Sequence, residues 1–524
     1  MTTTEQRSKQ LSGPATAADV DDLLQGRRLV LASNRGPLEY YWDEDGALQA
    51  RRGSGGVVTA LSALGHHAKL SWVASALTEA DRLVGMGCLD GSVPGQGECL
   101  NARVRFVVSP AEEYDLFYNV FANPVLWFVQ HNLHHLLPYS GLTSLVALAW
   151  HKGYRPVNRA FADAVLAELR RDDVAPVVML HDYQFYLAAG FIRDRAPSVI
   201  LQQFIHIPWP EPSSWRTLPS VIVRGICRGL LANDIIGFQT NRDAANFLTT
   251  CEAYLPEVRL DGETGEVFCA GRTTAVRSYP ISVHVGALRQ LAESEAVLRH
   301  ERRLRALCGE RTIVRVDRLD PSKNLLTGFQ AFAKLLERRP DLREKVRFLS
   351  FLVPSRTGIA EYQRYARQVF ELIETINGAY GRDGWRPIEV FYENNYHQAI
   401  AGMRLYDVLM VNSGLDGMNL VSKEGPIVNT RDGALVLSRG AGSYEQLAEG
   451  ALGVRPYDVG DTSRALEYAL EMPTFERRLR ARVLRNAVER NDIADWLQAQ
   501  LADLRAVAGS GRDETEREAA ARSA

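Results

Sequence analysis

TIVRVDRLDPSKNLLTGFQAFAKLLERRPDLREKVRFLSFLVP (312–354) reads as a complete strand–loop–helix–strand unit. The apolar, β-branched run 312–320 is a buried strand, 326–340 carries the spacing of an amphipathic helix, and 346–354 is a second buried strand. Strands alternating with helices in this way build a parallel sheet. Downstream the pattern repeats. A helix at 361–381 leads to IEVFYE (388–393), and DVLMVNS (407–413) and ALVLS (434–438) follow as further buried strands. Upstream stands a separate series: RLVLAS (28–33), VVMLHD (177–182), VILQQFIHI (199–207) and DIIGFQT (234–240). LEYYW and ALQARR flank the turn-like DEDG, the pattern of a hairpin, and VVTALSAL after a glycine cluster starts a helix.

The two series part near SYPISVHVGALRQL (278–291). The expected organisation is a disordered polar head at 1–26, one Rossmann-like domain at 27–288 and a second at 289–485. A C-terminal helix at 486–508 crosses back to the first domain, and a disordered tail follows at 509–524. The fold class is therefore α/β, two Rossmann-like domains facing across a deep cleft. The length of 524 residues suits two cores, and 46% hydrophobic with 24% charged residues is globular composition. A net charge of -2 gives no basic field for nucleic acid or an acidic membrane. Six scattered cysteines form no CxxC pair, no signal peptide or membrane-length apolar run is visible, and a cytoplasmic location with reduced thiols is expected.

Arg35, Asp182, His206, Arg318, Arg356 and Asp416 all fall at the carboxyl ends of these strands, three from each series. Ligands of open α/β sheets bind there, so six polar strand ends from both halves point to one site between the domains. VDRLDPSKN (316–324) sets Arg318 and Lys323 five residues apart. A sugar nucleotide leaves as a nucleoside diphosphate whose developing charge calls for such cations, and no metal motif accompanies them. A lone Arg/Lys pair is more often two solvated surface charges. SGLDGMNLVSKE (413–424) is a loop entering a helix whose first-turn N–H groups suit an oxygen-rich anion, with Glu424 able to accept from ribose hydroxyls; Asp416 could equally be a cap. SNRGP (33–37) with RRGSGG (51–56) brings glycines before a helix, a phosphate loop or an ordinary flexible turn. In FIHIPWP (204–210) a histidine among apolar residues is usually a core residue, but the Pro-Trp-Pro that follows stiffens the loop.

SNRGP, GSGG, YNVFANPVLW, HDYQ, HIPWP, DRLDPSKN, PSR, DGMNLVSKE and SRGAGSYEQL occur in that order between about residues 28 and 505. As a set they resemble the retaining trehalose-6-phosphate synthase family (glycosyltransferase family 20), which has the GT-B fold. The resemblance implies glucosyl transfer from a nucleoside-diphosphate glucose to glucose 6-phosphate, with retention, no cofactor and no metal. By the resemblance, Arg318 and Lys323 bind the donor diphosphate and Glu424 holds the ribose. Asp416, Gly417, Met418, Asn419 and Leu420 lie along the donor, and Gly55 and Gly56 cover its phosphates. His206 bonds the donor sugar, and Asp182 touches the transferring or accepting sugar. Arg35, Tyr118, Trp127 and Arg356 meet the acceptor phosphate. The implied mechanism is front-face substitution. The chain departs from the family at Gln184 (HDYQ for HDYH), at Asn324 (SKN for SKG) and in GPIVNTRDG after Glu424. Several of these departures resemble actinobacterial members that prefer GDP-glucose, which implies GDP-glucose slightly over UDP-glucose. They leave open a related enzyme that couples a cyclitol to a phosphorylated acceptor, a glucosylglycerol-phosphate synthase, and an inactive sugar-phosphate sensor. Whether the chain forms a homo-oligomer is also left open.

Overall fold

The computed structural model describes residues 27–53, 70–88, 92–95, 102–137, 142–171 and 176–523. Gly55, Gly56, the helix expected from VVTALSAL and the polar head lie outside the described residues. The first lobe is built on a ten-stranded sheet. Its strands run in the order Arg259–Asp261, Glu266–Cys269, Arg272–Ser278, Ile235–Phe238, Ile200–Phe204, Val177–His181, Leu29–Ser33, Leu70–Ser75, Ala102–Val107 and Ser92–Pro94. The seven strands from Arg272–Ser278 to Ala102–Val107 are mutually parallel; the outer ones are antiparallel additions. Leu38–Trp42 and Leu48–Arg52 form the expected hairpin, turned at Gly46 with φ 76°.

The second lobe holds six parallel strands in the order Ile388–Tyr392, Val346–Val353, Arg311–Arg318, Val408–Val411, Ala434–Ser438 and Leu452–Val454. Numbered along the chain this order is 3-2-1-4-5-6, the doubly wound arrangement, with its switch point between Arg311–Arg318 and Val408–Val411. The loops leaving those two strands carry Lys323 and Asp416. In the first lobe the order changes direction at Leu29–Ser33, whose neighbours are Val177–His181 and Leu70–Ser75, so Arg35 and Asp182 leave from the equivalent place.

The lobes meet at several places, among them the terminal helix and the loop 416–418. The terminal helix, Ile493–Ser523, follows the second lobe and lays Ile493, Trp496, Leu497, Leu501 and Leu504 into the core beneath the first sheet, with Leu31, Trp72 and Met179. Trp496 meets Phe204 edge to face at 5.3 Å, and Gln202 Nε2 donates to Gln500 Oε1 at 2.8 Å. The backbone stays helical to Ser523, past the break expected at 508. The second junction is the loop 416–418. A Cβ on Gly417 would collide with the His206 carbonyl oxygen, so only glycine lets this loop approach the HIPWP loop this closely. Met418 beside it is buried in the core of the first sheet.

Because Trp496 is 3% exposed and spans this seam, Trp496→Ala should lower the free energy of urea unfolding by about 3 kcal/mol or more. Leu479→Ala, at a position 41% exposed, should change it by less than about 0.5 kcal/mol. Circular dichroism melts in urea measure both; equal effects would show that the helix contributes no packing to the first lobe.

Candidate active site

The segment YNVFANPVL forms a widened, π-type helix, Leu116–Leu126, with Pro124 inside it. Proline has no N–H to complete an α-turn, which accounts for the widening. This helix and its continuation Trp127–Gln130 aim Tyr118, Asn123 and Trp127 at the second lobe. At the end of Val177–His181 the backbone of Asp182 adopts φ 74°, ψ 179°, a conformation that non-glycine residues avoid. Holding it costs roughly 1–3 kcal/mol, a kind of strain found mainly at functional positions. Its carboxylate accepts the His206 backbone N–H at 3.1 Å, and burial pushes its pKa up to about 7. The His206 Nε2 lies 3.3 Å from His181 Nδ1; burial, then the neighbouring His181, holds His206 well below the usual imidazole range, so it is neutral at pH 7.

On the second lobe, Asp320 shapes the loop that carries Lys323. Its Oδ1 accepts the Ser322 N–H at 3.0 Å and the Ser322 hydroxyl at 2.9 Å. Lys323 Nζ donates to Asp416 Oδ2 at 2.5 Å, and Ser413 Oγ and Asn419 Nδ2 donate to the same oxygen. Arg356 is the hub. It donates to Asp320 Oδ2 at 2.6 Å, to the Tyr362 hydroxyl at 2.7 Å, to Asn123 Oδ1 at 2.8 Å and to the Tyr183 hydroxyl at 3.2 Å, while its guanidinium lies 3.9 Å above the Trp127 ring. Burial pushes the Asp320 carboxyl up, but Arg356 and Arg318 outweigh it and hold the group below the ordinary carboxylate range. Tyr118 shows the same balance: burial raises it, and Arg356 and Arg35 together bring it below the ordinary phenol range.

Arg35, Tyr118, Trp127 and Arg356, two lobes' worth of expected acceptor ligands, are thus gathered in one place. Arg318 stands at the edge of this cluster, 41% exposed, 5.1 Å over the Trp127 ring and 3.7 Å from Asp320. Glu424 is apart from it, receiving the Tyr396 hydroxyl at 2.9 Å. The Trp127 indole N–H donates to Asp320 Oδ1 at 3.3 Å. The Met418 side chain lies in the core of the first sheet, as a backbone-only role in its loop requires. The sequence reading missed Asp320, Asn123, Tyr183, Tyr362 and His131. Asp320, Asn123 and Tyr183 stand inside quoted motifs, so the motifs themselves held the signal. His131 is fully buried, stacks on Trp127 at 4.0 Å and hydrogen-bonds the Trp127 carbonyl through Nδ1.

Among the described residues, no group of three His, Cys, Asp or Glu side chains is placed to hold a metal, and no helix is long and apolar enough to cross a membrane. Asp320 and Asp416 are each committed to a cation, which leaves Asp182 as the acid facing the cleft from the first lobe.

The family model for glycosyltransferase family 20 matches residues 27–506. The chain belongs to glycosyltransferase family 20. Among curated family 20 relatives, a trehalose-6-phosphate synthase of Cronobacter sakazakii is 34% identical over 76% of this chain and 81% of its own length. A bifunctional trehalose-6-phosphate synthase/phosphatase of Thermoproteus tenax is 33% identical, and the chain spans only 55% of it. A validamine 7-phosphate valienyltransferase of Streptomyces hygroscopicus subsp. jinggangensis is 29% identical over 92% of this chain and 95% of its own length. The solved structure of an alpha,alpha-trehalose 6-phosphate synthase from Burkholderia multivorans superposes with a TM-score of 0.80 at 29% identity, covering 93% of this chain and 98% of that one. This family 20 chain thus has the GT-B fold of its solved relatives.

A carboxyl raised from 3.8 to about 7 binds its proton in the folded chain over a range where the unfolded chain has released it. Asp182 therefore makes stability fall as pH rises from about 4 to 7. Asp182→Asn should flatten that fall, measured as urea midpoints across this range; parallel curves for the two proteins would place Asp182 in water.

Proposed function

We propose that the protein is a retaining glucosyltransferase that makes α,α-trehalose 6-phosphate from a nucleoside-diphosphate glucose and glucose 6-phosphate. The observation that carries this reading is the meeting of Arg356 from the second lobe with Tyr118, Trp127 and Arg35 from the first, beside the Lys323–Asp416 pair. Two guanidinium groups with a phenol suit a phosphate dianion, and an ammonium at a doubly wound switch point suits a diphosphate. Arg356 and Lys323 each already hold an internal anion. Substrate phosphates take over from Asp320 and Asp416, so neither cation is left bare in the cleft before they arrive. A solved Burkholderia xenovorans synthase, 27% identical, is described in complex with glucose-6-phosphate, which supports the acceptor.

In the reaction, Lys323 and Arg318 stabilise the leaving diphosphate, Glu424 holds the ribose, and neutral His206 accepts or donates one hydrogen bond at the donor sugar. Asp182 orients the sugar hydroxyls. Asp182 beside the sugars keeps its proton to about pH 7, so the leaving phosphate oxygen serves as the base for the incoming hydroxyl, in front-face substitution.

Two of the three departures behind the preference for GDP-glucose have backbone causes. Asn324 sits at φ 53°, the left-handed region where asparagine is the usual substitute for glycine. Asn429 ends the helix Val421–Val428, accepting the N–H groups of Arg431 and Gly433. Relatives from Arabidopsis thaliana are named UDP-forming. A second reading, coupling of a cyclitol to a phosphorylated acceptor, is favoured by the near full-length likeness to the valienyltransferase.

A matrix of UDP-, GDP- and ADP-glucose against glucose 6-phosphate and glucose, read as nucleoside diphosphate release, decides among these. Release is expected with glucose 6-phosphate and not with glucose; equal use of the two would defeat the phosphate-acceptor reading. Arg356→Lys keeps the charge that Asp320 requires but loses the fork, and should raise the acceptor KM about tenfold while moving the donor KM less than about twofold. Lys323→Ala should lower kcat by about a hundredfold. Wild-type activity should persist in excess EDTA; loss restored by Mg²⁺ would show that Arg318 and Lys323 do not suffice for the leaving group.

A further inference from the structure

The chain leaves the first lobe through YPISVHV (279–285), and Ile281 is gripped at both its N–H and its carbonyl. Its N–H donates to Gln239 Oε1 of the first lobe at 3.0 Å. Its carbonyl accepts Lys423 Nζ of the second lobe at 2.8 Å. A few residues on, the linker is strapped to the returning chain: Val285 N–H donates to Asp492 Oδ2 at 3.0 Å, and Ile493 N–H donates to the Val283 carbonyl at 3.2 Å.

Lys423 is 1% exposed, and among the described residues no carboxylate forms an ion pair with it. Burying an ammonium without a counter-charge is costly, and an aliphatic side chain of equal length would fill the space without that cost. Burial accordingly pushes this lysine down to about 7. What the lysine adds over a methionine is the single bond to the linker carbonyl. It adds it from the first turn of the helix Val421–Val428, where the next residue is Glu424. That helix packs against Val285–Ala292, the first helix after the linker.

We propose that Lys423 is a positioning residue for the transfer: it ties the helix bearing Glu424 to the carbonyl of the linker residue Ile281, so that donor occupancy and the angle between the lobes change together. The inference rests on Glu424 being the ribose contact. Because Gln239 holds the N–H of the same residue, a shift of the donor helix is delivered to the first lobe through the backbone of one buried residue rather than dissipated in a slack linker. Lys423 touches neither substrate. Its effect belongs on donor affinity and closure, the two quantities that a coupling between sites must move together.

The test uses the full chain with UDP and GDP as probes, binding by calorimetry and closure by small-angle scattering. Wild type should bind one of them and contract. Lys423→Met, which keeps the aliphatic volume, should weaken nucleotide binding about tenfold and lose the contraction, with the acceptor KM within about twofold of wild type. Lys423→Arg, which retains a donor for the carbonyl, should recover part of both. Gln239→Met, remote from the nucleotide, should also lose the contraction, and it serves if Lys423→Met does not fold. A wild type that binds and contracts while Lys423→Met and Gln239→Met do the same overturns the coupling alone. A wild type that binds without contracting also overturns it. A wild type that binds neither nucleotide overturns the assignment of Glu424, and the coupling with it.

Discussion

The buried pair of Arg356 and Asp320 is the constraint on which the rest of the site depends. Both groups are removed from water, and removing one partner of such a pair costs about 3–5 kcal/mol because the other is left uncompensated. Their position is what matters. Asp320 also shapes the turn that delivers Lys323, and Arg356 lies on Trp127 and reaches Asn123 and Tyr183 across the lobe boundary. One ion pair therefore sets the Lys323 loop, the plane of Trp127 and the register of one lobe against the other.

The same logic governs the other charges. The two cations proposed to bind phosphates have internal anions, Asp320 for Arg356 and Asp416 for Lys323. A site with bare guanidinium and ammonium groups in low-dielectric surroundings would be unstable. One whose cations were paired too well would not release them. Asp416 shares its charge among Lys323, Ser413 and Asn419, so the pair can loosen while the carboxylate keeps two partners. Asp182 follows the opposite course: burial outweighs the more distant pull of Arg356 and Arg318, and its proton stays on to about pH 7. Three buried carboxylates in one cleft thus differ in state because their neighbours differ.

The lobes are held by contacts of different kinds. The terminal helix adds broad apolar burial under the first sheet. Gly417 against the His206 carbonyl is a steric seam that admits no side chain. Ile281 carries one hydrogen bond to each lobe and packs its side chain into the core beneath the first sheet. Apolar burial tolerates small rotations, whereas a directional bond does not, so the proposed sensitivity to lobe angle lies in these two bonds.

The parallel sheets, the parting of the two series near residue 278 and the strand ends bearing Arg35, Asp182, His206, Arg318, Arg356 and Asp416 were all legible in the sequence, because period-two and helical apolar spacings are local properties of the chain. The outer strands Arg259–Asp261 and Glu266–Cys269 were not, since short, half-exposed strands carry almost no apolar signal. The motifs marked Asp416 and Lys323 as site residues but could not show them bonded to each other 93 positions apart. Nor could they show that Trp127 faces Asp320, that Asn324 sits at a left-handed backbone angle, or that Lys423 is buried on a linker carbonyl. Residue type and spacing decide which chemistry is available to a chain. Which charge meets which, and with how much water between them, is decided only when two sheets built from distant segments close on one cleft.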